Sequence, residues 1–273
     1  MGGCNVDFDK PLEPKVNKAK LAMEKIPHKV VVMSGKGGVG KTSFAVNLAQ
    51  AFQSQGLKTG ILDVDLHGPN VPLMCGVENQ RAELKDEKIL PVRSENGLSV
   101  ISMSFFLDNR DDAVIWRGPL KIGAIGQFMT DVSWDGLDVL VVDSPPGTGD
   151  EPLTVAQNLL PNLDGAVVMT SPQDVSVLDL KKSISFAKKL GMNVLGVVEN
   201  MSGFHCAHCG ERTDLFKSGG GEKAAAELGV PFLGALPISP AMVEASDSGN
   251  PLVAGCPDDP VAKTIPAIAR TLA

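Results

Sequence analysis

Lys29-Val30-Val31-Val32-Met33-Ser34 runs into Gly35-Lys36-Gly37-Gly38-Val39-Gly40-Lys41-Thr42, and then into Ser43-Phe44-Ala45-Val46-Asn47-Leu48-Ala49. The first stretch is a short apolar run rich in β-branched residues and the last has a helical composition. Between them lies a glycine-rich segment with the spacing of a phosphate-binding loop. Gly35, Gly37, Gly38 and Gly40 permit backbone conformations closed to residues with a Cβ. Several N–H groups can then turn inward on an anion that also feels the positive end of the helix. Lys41 would reach the β- and γ-phosphates of a nucleotide, and Thr42 would ligate Mg²⁺.

Lys36 is a second lysine inside this loop. One lysine already satisfies the ordinary pattern. A lysine pointing out of the loop could neutralise charge on a nucleotide held by another subunit, or it could be a solvated loop lysine; spacing does not choose.

Outward from the loop, short apolar strands alternate with helical stretches. Strands are expected at Thr59 to Asp63 and near Leu98 to Met103, Leu137 to Val142, Gly165 to Met169, Asn193 to Glu199 and Phe232 to Ala235. Helices are expected near Leu120 to Asp131, Thr154 to Leu160, Val175 to Leu190, Gly221 to Leu228 and Pro240 to Ser248. That order implies an α/β fold, a doubly wound, mainly parallel sheet with helices on both faces and ligands at the carboxyl ends of its strands. Residues 1–27 read as an N-terminal arm or helix loosely attached to a P-loop domain over 28–273. The stretch Glu78 to Glu95 reads as a charged, irregular excursion, and Pro266 interrupts the C-terminal apolar pattern.

Two further strands end in carboxylates. Asp143 closes Val139-Leu140-Val141-Val142 and precedes Ser144-Pro145-Pro146-Gly147-Thr148-Gly149-Asp150, which places a Mg²⁺-organising acid and a γ-phosphate-sensing turn beside the loop. Asp63 and Asp65 end the Thr59 strand before Leu66-His67-Gly68-Pro69. If the segment is extended, residues two apart face the same way, so both carboxylates could point at the triphosphate. Asp65 is the candidate for orienting the hydrolytic water, with Asp63 behind Mg²⁺ or Lys41. Alternatively both are turn formers. Asn200 offers a carboxamide that matches adenine N6 and N7, or it caps a helix; Pro237 could form another wall of the base pocket. The nucleotide set is therefore Gly35 through Ser43 with Asn200 and Pro237.

Five cysteines, Cys4, Cys75, Cys206, Cys209 and Cys256, are too few and too scattered for a disulfide framework. Cys206-Ala207-His208-Cys209 can hold one metal centre, but Zn²⁺ and iron–sulfur clusters normally take four protein ligands. Three completions stay open. A dimer contributes a second pair, His205 or His208 joins as a zinc ligand, or the cysteines cycle as a dithiol.

Composition narrows the classes. The chain has 273 residues, 43% of them hydrophobic, enough for one sizeable α/β core, and a net charge of −7 argues against phosphate-backbone binding as the main activity. No apolar run approaches the roughly 20 residues that cross a bilayer, and the opening residues do not form a secretory signal. The expectation is a cytoplasmic protein that acts on neither nucleic acid nor membrane.

Taken together these motifs resemble the Mrp/ApbC family of iron–sulfur cluster carrier ATPases, in the deviant-Walker P-loop class with MinD and the nitrogenase iron protein. The resemblance runs from about Lys29 to Gly255 and rests on Gly35 to Thr42, Asp63-Val64-Asp65 with Gly68-Pro69, Trp116-Arg117-Gly118-Pro119, Asp143 to Asp150, Glu199-Asn200-Met201 and the cysteine pair. It implies that Lys36 acts across a homodimer, that Asp65 is the hydrolytic switch residue and that Asn200 contacts adenine. It further implies that Cys206 and Cys209 bind a [4Fe–4S] cluster shared between subunits and delivered to apo-proteins. His67 and Asn70 depart from the usual switch residues. The competing reading is a MinD- or ParA-like positioning switch whose cysteines hold zinc.

Overall fold

The computed structural model describes residues 18–65, 68–106, 118–159, 163–206 and 208–272. Helix α1 (Lys18–Met23) precedes strand β1 (His28–Ser34), whose end opens the glycine-rich loop into helix α2 (Lys41–Ser54). Strand β2 (Thr59–Asp63) leads through helix α3 (Val71–Met74) to short strands β3 (Glu83–Lys85), β4 (Lys88–Leu90) and β5 (Val92–Arg93), then to β6 (Ser99–Ser102) and a 3₁₀ turn at Met103–Phe106. Next come helix α4 (Gly118–Thr130), strand β7 (Val139–Asp143), helix α5 (Asp150–Leu159), strand β8 (Gly165–Thr170) and helix α6 (Asp174–Lys189). Strands β9 (Val194–His205) and β10 (Arg212–Thr213) are followed by helix α7 (Gly220–Leu228), strand β11 (Phe232–Ile238) and helices α8 (Pro240–Ser248), α9 (Leu252–Gly255) and α10 (Pro260–Leu272).

Among the described residues the main sheet has the order β10-β9-β8-β1-β7-β2-β6-β5, with β11 on β9. Strands β1, β2, β6, β7, β8, β9 and β11 pair in parallel, while β5 and β10 are antiparallel edges. The central strands β2, β7 and β8 are buried along their whole length, and mostly apolar, because helices cover both faces. Alternation then assigns each side chain to a layer. Val31, Met33, Leu140 and Val142 pack with α1, α4, α5, α6 and α7, whereas Val30, Val32, Val139 and Val141 pack with α2, α3, α8, α9 and α10. The glycine-rich loop stands at the carboxyl end of β1, between β7 and β8, where a doubly wound sheet binds its ligand.

The structure departs from the sequence expectations at three places. Residues 23–27, expected in a loose arm, are anchored: Met23 and Ile26 are buried in the core, and the buried Lys29 Nζ donates to Ile26 O at 2.6 Å. Burial lowers the pKa of Lys29, opposed by Asp164 and Glu24. Residues 1–17 lie outside the described residues. The excursion at Glu78 to Glu95 is not irregular, since β3 and β4 form a hairpin whose turn residues Asp86 and Glu87 both have positive φ (50° and 60°), and β5 pairs with β6. Asp-Glu is not a usual sequence for such a turn, which hid it.

Nor does Pro266 interrupt the C-terminal element. Helix α10 runs through it and lays Val261, Ala262, Ile265, Ile268 and Ala269 into the layer that contains α2. Gln55 Nε2 donates to Pro266 O at 3.2 Å. Burying a side chain such as Ile265 contributes about 1.5–3 kcal/mol, so packing outweighs the local cost of the proline.

Candidate nucleotide and metal-cluster site

The glycine-rich loop takes its shape from three of its four glycines. Gly38 and Gly40 adopt φ of +78° and +81°. Gly35 is needed for close approach, because a Cβ there would lie 2.4 Å from Asp179 O of α6, and a Cβ on Gly40 would lie 2.1 Å from Asn200 Nδ2. Gly37 has neither constraint, so the expectation that all four relieve strain is corrected at that position. The buried Ser34 hydroxyl donates to Lys36 O at 2.9 Å, and Gly147 N donates to Ser34 O at 2.8 Å, tying the loop to the turn after β7. Val39 is buried, Gly37 and Gly38 are exposed, and Lys36 is half-exposed with no ion pair among the described residues.

Lys41, Thr42 and Asp143 converge. Lys41 Nζ lies 2.6 Å from Asp143 Oδ1, and the Thr42 hydroxyl donates to Asp143 Oδ2 at 2.7 Å. In the sheet register Asp63 stands directly beside Asp143. Asp63 Oδ2 accepts from Ser102 Oγ at 3.0 Å and Oδ1 from Asp65 N at 3.1 Å. Burial, and then the neighbouring Asp143, raises the Asp63 pKa well above the usual carboxylate range. Burial also raises that of Asp143, opposed by Lys41 and Thr42. Two fully buried carboxylates facing one lysine leave negative charge that a hard cation would neutralise. Thr42, Asp143 and Asp63 are the oxygen donors such a cation prefers.

β2 ends at Asp63, and the Asp65 N–H bond back to the Asp63 side chain starts a turn there. The strand alternation expected to align Asp63 and Asp65 therefore does not reach Asp65. Asp65 nonetheless comes close enough to Asp143 to raise its pKa, so its carboxylate still belongs to the same charge cluster. His67 and Trp116-Arg117 lie outside the described residues.

Beyond the loop, Gly40, Ser43, Phe44, Asn200 and Pro237 line one cavity. The two base-pocket residues expected from sequence are thus brought together beside the loop. Asn200 sits within β9 rather than after it, and its Nδ2 donates to Val39 O at 3.0 Å. One amide hydrogen of Asn200 is thereby engaged with the loop. Met201, part of the Glu199-Asn200-Met201 motif, and Met242 also line it, and Met242, an ordinary apolar residue, gave no sequence signal.

The cysteine pair forms the tip joining β9 to β10. Cys206 N donates to Glu211 O at 3.0 Å and Gly210 N donates to Cys206 O at 2.8 Å, with Gly210 at φ +73°. The Cys206 sulfur accepts from the Cys209 and His208 backbone N–H groups and from the Cys209 thiol, which lowers its pKa. These bonds prepare a thiolate for a metal. All four described cysteines are free thiols, with Cys75 buried and Cys256 exposed; Cys4 lies outside the described residues. Among the described residues no three His, Cys, Asp or Glu side chains gather to hold a metal, so His205 and His208 are not assembled with the pair into a zinc site within one chain.

Residues 25–273 match the family model described as ParA, NUBPL iron-transfer P-loop NTPase. The chain is 50% identical over 247 residues to an iron-sulfur cluster carrier protein of Methanocaldococcus jannaschii, covering 90% of this chain and 85% of that one. It is 44% identical over 254 residues to the cytosolic Fe-S cluster assembly factor nubp2 of Danio rerio, covering 92% and 95%. Among solved structures, a nucleotide-binding protein of Archaeoglobus fulgidus in complex with ADP superposes with a TM-score of 0.75 at 39% identity, covering 85% of this chain and 90% of that one. The cell division ATPase MinD of Pyrococcus furiosus shares the fold, with a TM-score of 0.65 at 24% identity over 90% and 98% of the two chains. With the loop, its paired carboxylates and the exposed cysteine tip all in one matched span, the chain belongs to the ParA/NUBPL family of iron-transfer P-loop NTPases.

Proposed function

We propose that this protein is a cytoplasmic, homodimeric ATPase that holds a [4Fe–4S] cluster as cargo on Cys206 and Cys209 of two copies and passes it to apo-proteins. The observation that carries this reading is the cysteine tip, an exposed Cys209 beside a half-buried Cys206 whose sulfur accepts N–H···S bonds, with no third ligand assembled among the described residues. Two such tips brought together supply the four thiolates a cluster takes. Relatives named as iron–sulfur cluster carriers and cytosolic assembly factors support the cargo and the compartment.

On the nucleotide side, Lys41 would leave Asp143 for the β- and γ-phosphates, and the Gly35 to Ser43 backbone would cradle them. Thr42 with Asp143 and Asp63 would hold Mg²⁺, which supplies charge neutralisation at the phosphates. Asp65 would orient the attacking water, Lys36 would reach the nucleotide of the second copy, and Asn200 and Pro237 would fix the adenine. The apolar face of α10 is already packed in the core, which speaks against its use as a membrane anchor in a MinD-like switch.

Anaerobic reconstitution with iron and sulfide tests the proposal. A visible charge-transfer band with about one cluster per two chains is expected, lost in Cys206→Ser and in Cys209→Ser. Persistence of the band in both variants, or a purified protein carrying zinc without sulfide, would sink it.

A further inference from the structure

The base pocket and the cysteine tip are parts of one strand. Asn200 and Met201 of β9 line the cavity next to the loop, and β9 continues through His205 directly into Cys206. Between these points the strand is not regular. Leu236 of β11 pairs with Asn200 and Ile238 pairs with Phe204, so β9 advances four residues while β11 advances two. The extra length is taken up at Met201 and Gly203, with φ of +59° and +81°. A left-handed methionine is a conformation that surrounding structure must impose.

Glu199 imposes it. Its carboxylate is fully buried, and Oε1 accepts from Ser202 Oγ at 2.7 Å and Gly219 N at 2.8 Å, while Oε2 accepts from Gly221 N at 2.6 Å. The bonds to Gly219 and Gly221 fasten the strand to the start of α7. That to Ser202 fastens the middle of the bulge to the same carboxylate. The glycine run there admits it: a Cβ on Gly221 would lie 2.9 Å from Thr170 Cγ2 and 3.2 Å from Glu199 Cβ. From the other side, Arg212 of the β10 hairpin arm closes over Gly203, where a Cβ would lie 2.7 Å from its Nε. The bulge therefore touches the pocket wall through Met201 and the arm of the cysteine tip through Gly203.

We infer that Glu199 is a positioning residue which, through Ser202 and the Met201–Gly203 bulge, couples occupation of the base pocket to the presentation of Cys206 and Cys209 within a single chain. The inference rests on the nucleotide and cluster assignments of the proposed function. A side chain that only capped α7 would need Gly219 and Gly221, not Ser202. A base seated against Met201 pushes on a segment that can shift only together with the strand leading to Cys206, because the Glu199 carboxylate holds its far side to the rigid helix.

The test reads Cys206 alkylation by iodoacetamide in the full-length, cluster-free protein, by mass spectrometry, with and without ADP, alongside solution mass. In the parent protein ADP changes the Cys206 rate by about fivefold or more, the size of an ordinary coupling between sites. Ser202→Ala removes the bulge bond and spares both backbone bonds at α7. It keeps its affinity for a fluorescent ATP analogue and its solution mass, and its Cys206 rate no longer responds to ADP. Glu199→Gln gives the same loss, and Ser202→Thr, which restores a hydroxyl, recovers the response. A full ADP response in Ser202→Ala overturns the inference, as does a parent protein that binds nucleotide with no change at Cys206. A parent protein that binds no nucleotide overturns the proposed function as well, and so is distinguishable.

Discussion

Lys41 Nζ and Asp143 Oδ1 lie 2.6 Å apart with both side chains buried, so the loop lysine and the acid at the end of β7 form an internal ion pair. A lysine that serves phosphates must exchange this partner for them. The pair consequently links the integrity of the folded protein to its chemistry.

Lys41→Ala abolishes ATP turnover and also destabilises the protein by about 3 kcal/mol, since it leaves a buried carboxylate without its counter-charge. Lys41→Met combined with Asp143→Asn recovers most of that stability and none of the turnover. Thermal denaturation and phosphate release measure the two effects. Unchanged stability in the single variant would contradict the buried pair.

Asp63 behaves oppositely. Its pKa is raised in the folded protein by burial and by Asp143, so the folded state binds its proton more tightly than the unfolded chain does. Stability from this group is present at low pH and is lost as pH rises from the ordinary carboxylate range through the raised value. Asp63→Asn removes the penalty and keeps an acceptor for Asp65 N, while its amide NH2 donates to Ser102 Oγ where the carboxylate had accepted. Without nucleotide or metal, its melting temperature at pH 7.5 should exceed that of the parent by roughly 2 °C or more, the shift for about 1 kcal/mol in a domain of this size. Turnover falls in the same variant. A lower melting temperature at that pH would refute the sign.

The thiols separate by pH. N–H donors lower the pKa of Cys206, while burial and Asp63 push that of Cys75 up to about 12. Only thiolates react, so the alkylation rate of Cys206 should keep its plateau to lower pH than that of a cysteine in a short unstructured peptide, and Cys75 should stay unmodified in the native state. Superimposable profiles for Cys206 and the peptide cysteine would remove the argument for a primed tip.

Lys36→Ala tests the reach across the dimer. Nucleotide binding through Lys41 persists, the ATP-dependent increase in solution mass disappears, and turnover drops by at least about 10²-fold, as expected when a charge that acts on the transition state is removed. Retained ATP-driven association would return Lys36 to the role of a solvated loop lysine.

The order of strands and helices was legible because both faces of the central sheet are covered, which makes β1, β2, β7 and β8 read as uninterrupted apolar runs. The loop was legible for a related reason: phosphate binding by backbone N–H groups demands glycines and a lysine at fixed spacing within one short stretch. Local chemistry written on adjacent residues survives in one dimension.

What the tertiary structure decided depends on residues far apart in the chain. Ser102 reaches Asp63 across 39 positions and Asn200 reaches Val39 across 161, and in the Gly219-Gly220-Gly221 run Gly219 takes a φ of +78°, a Cβ on Gly220 would meet Pro172 O and a Cβ on Gly221 would meet Thr170 and Glu199. Glu199 itself resembles any strand-end glutamate until its three donors are seen. The amino-acid sequence by itself determined the sheet, the phosphate loop and the cysteine pair, because each is encoded by near neighbours. Only the folded chain decided which carboxylate lies beside Lys41, what closes the base pocket and how that pocket is joined to Cys206, because burial and hydrogen bonding there are set by elements the sequence keeps apart.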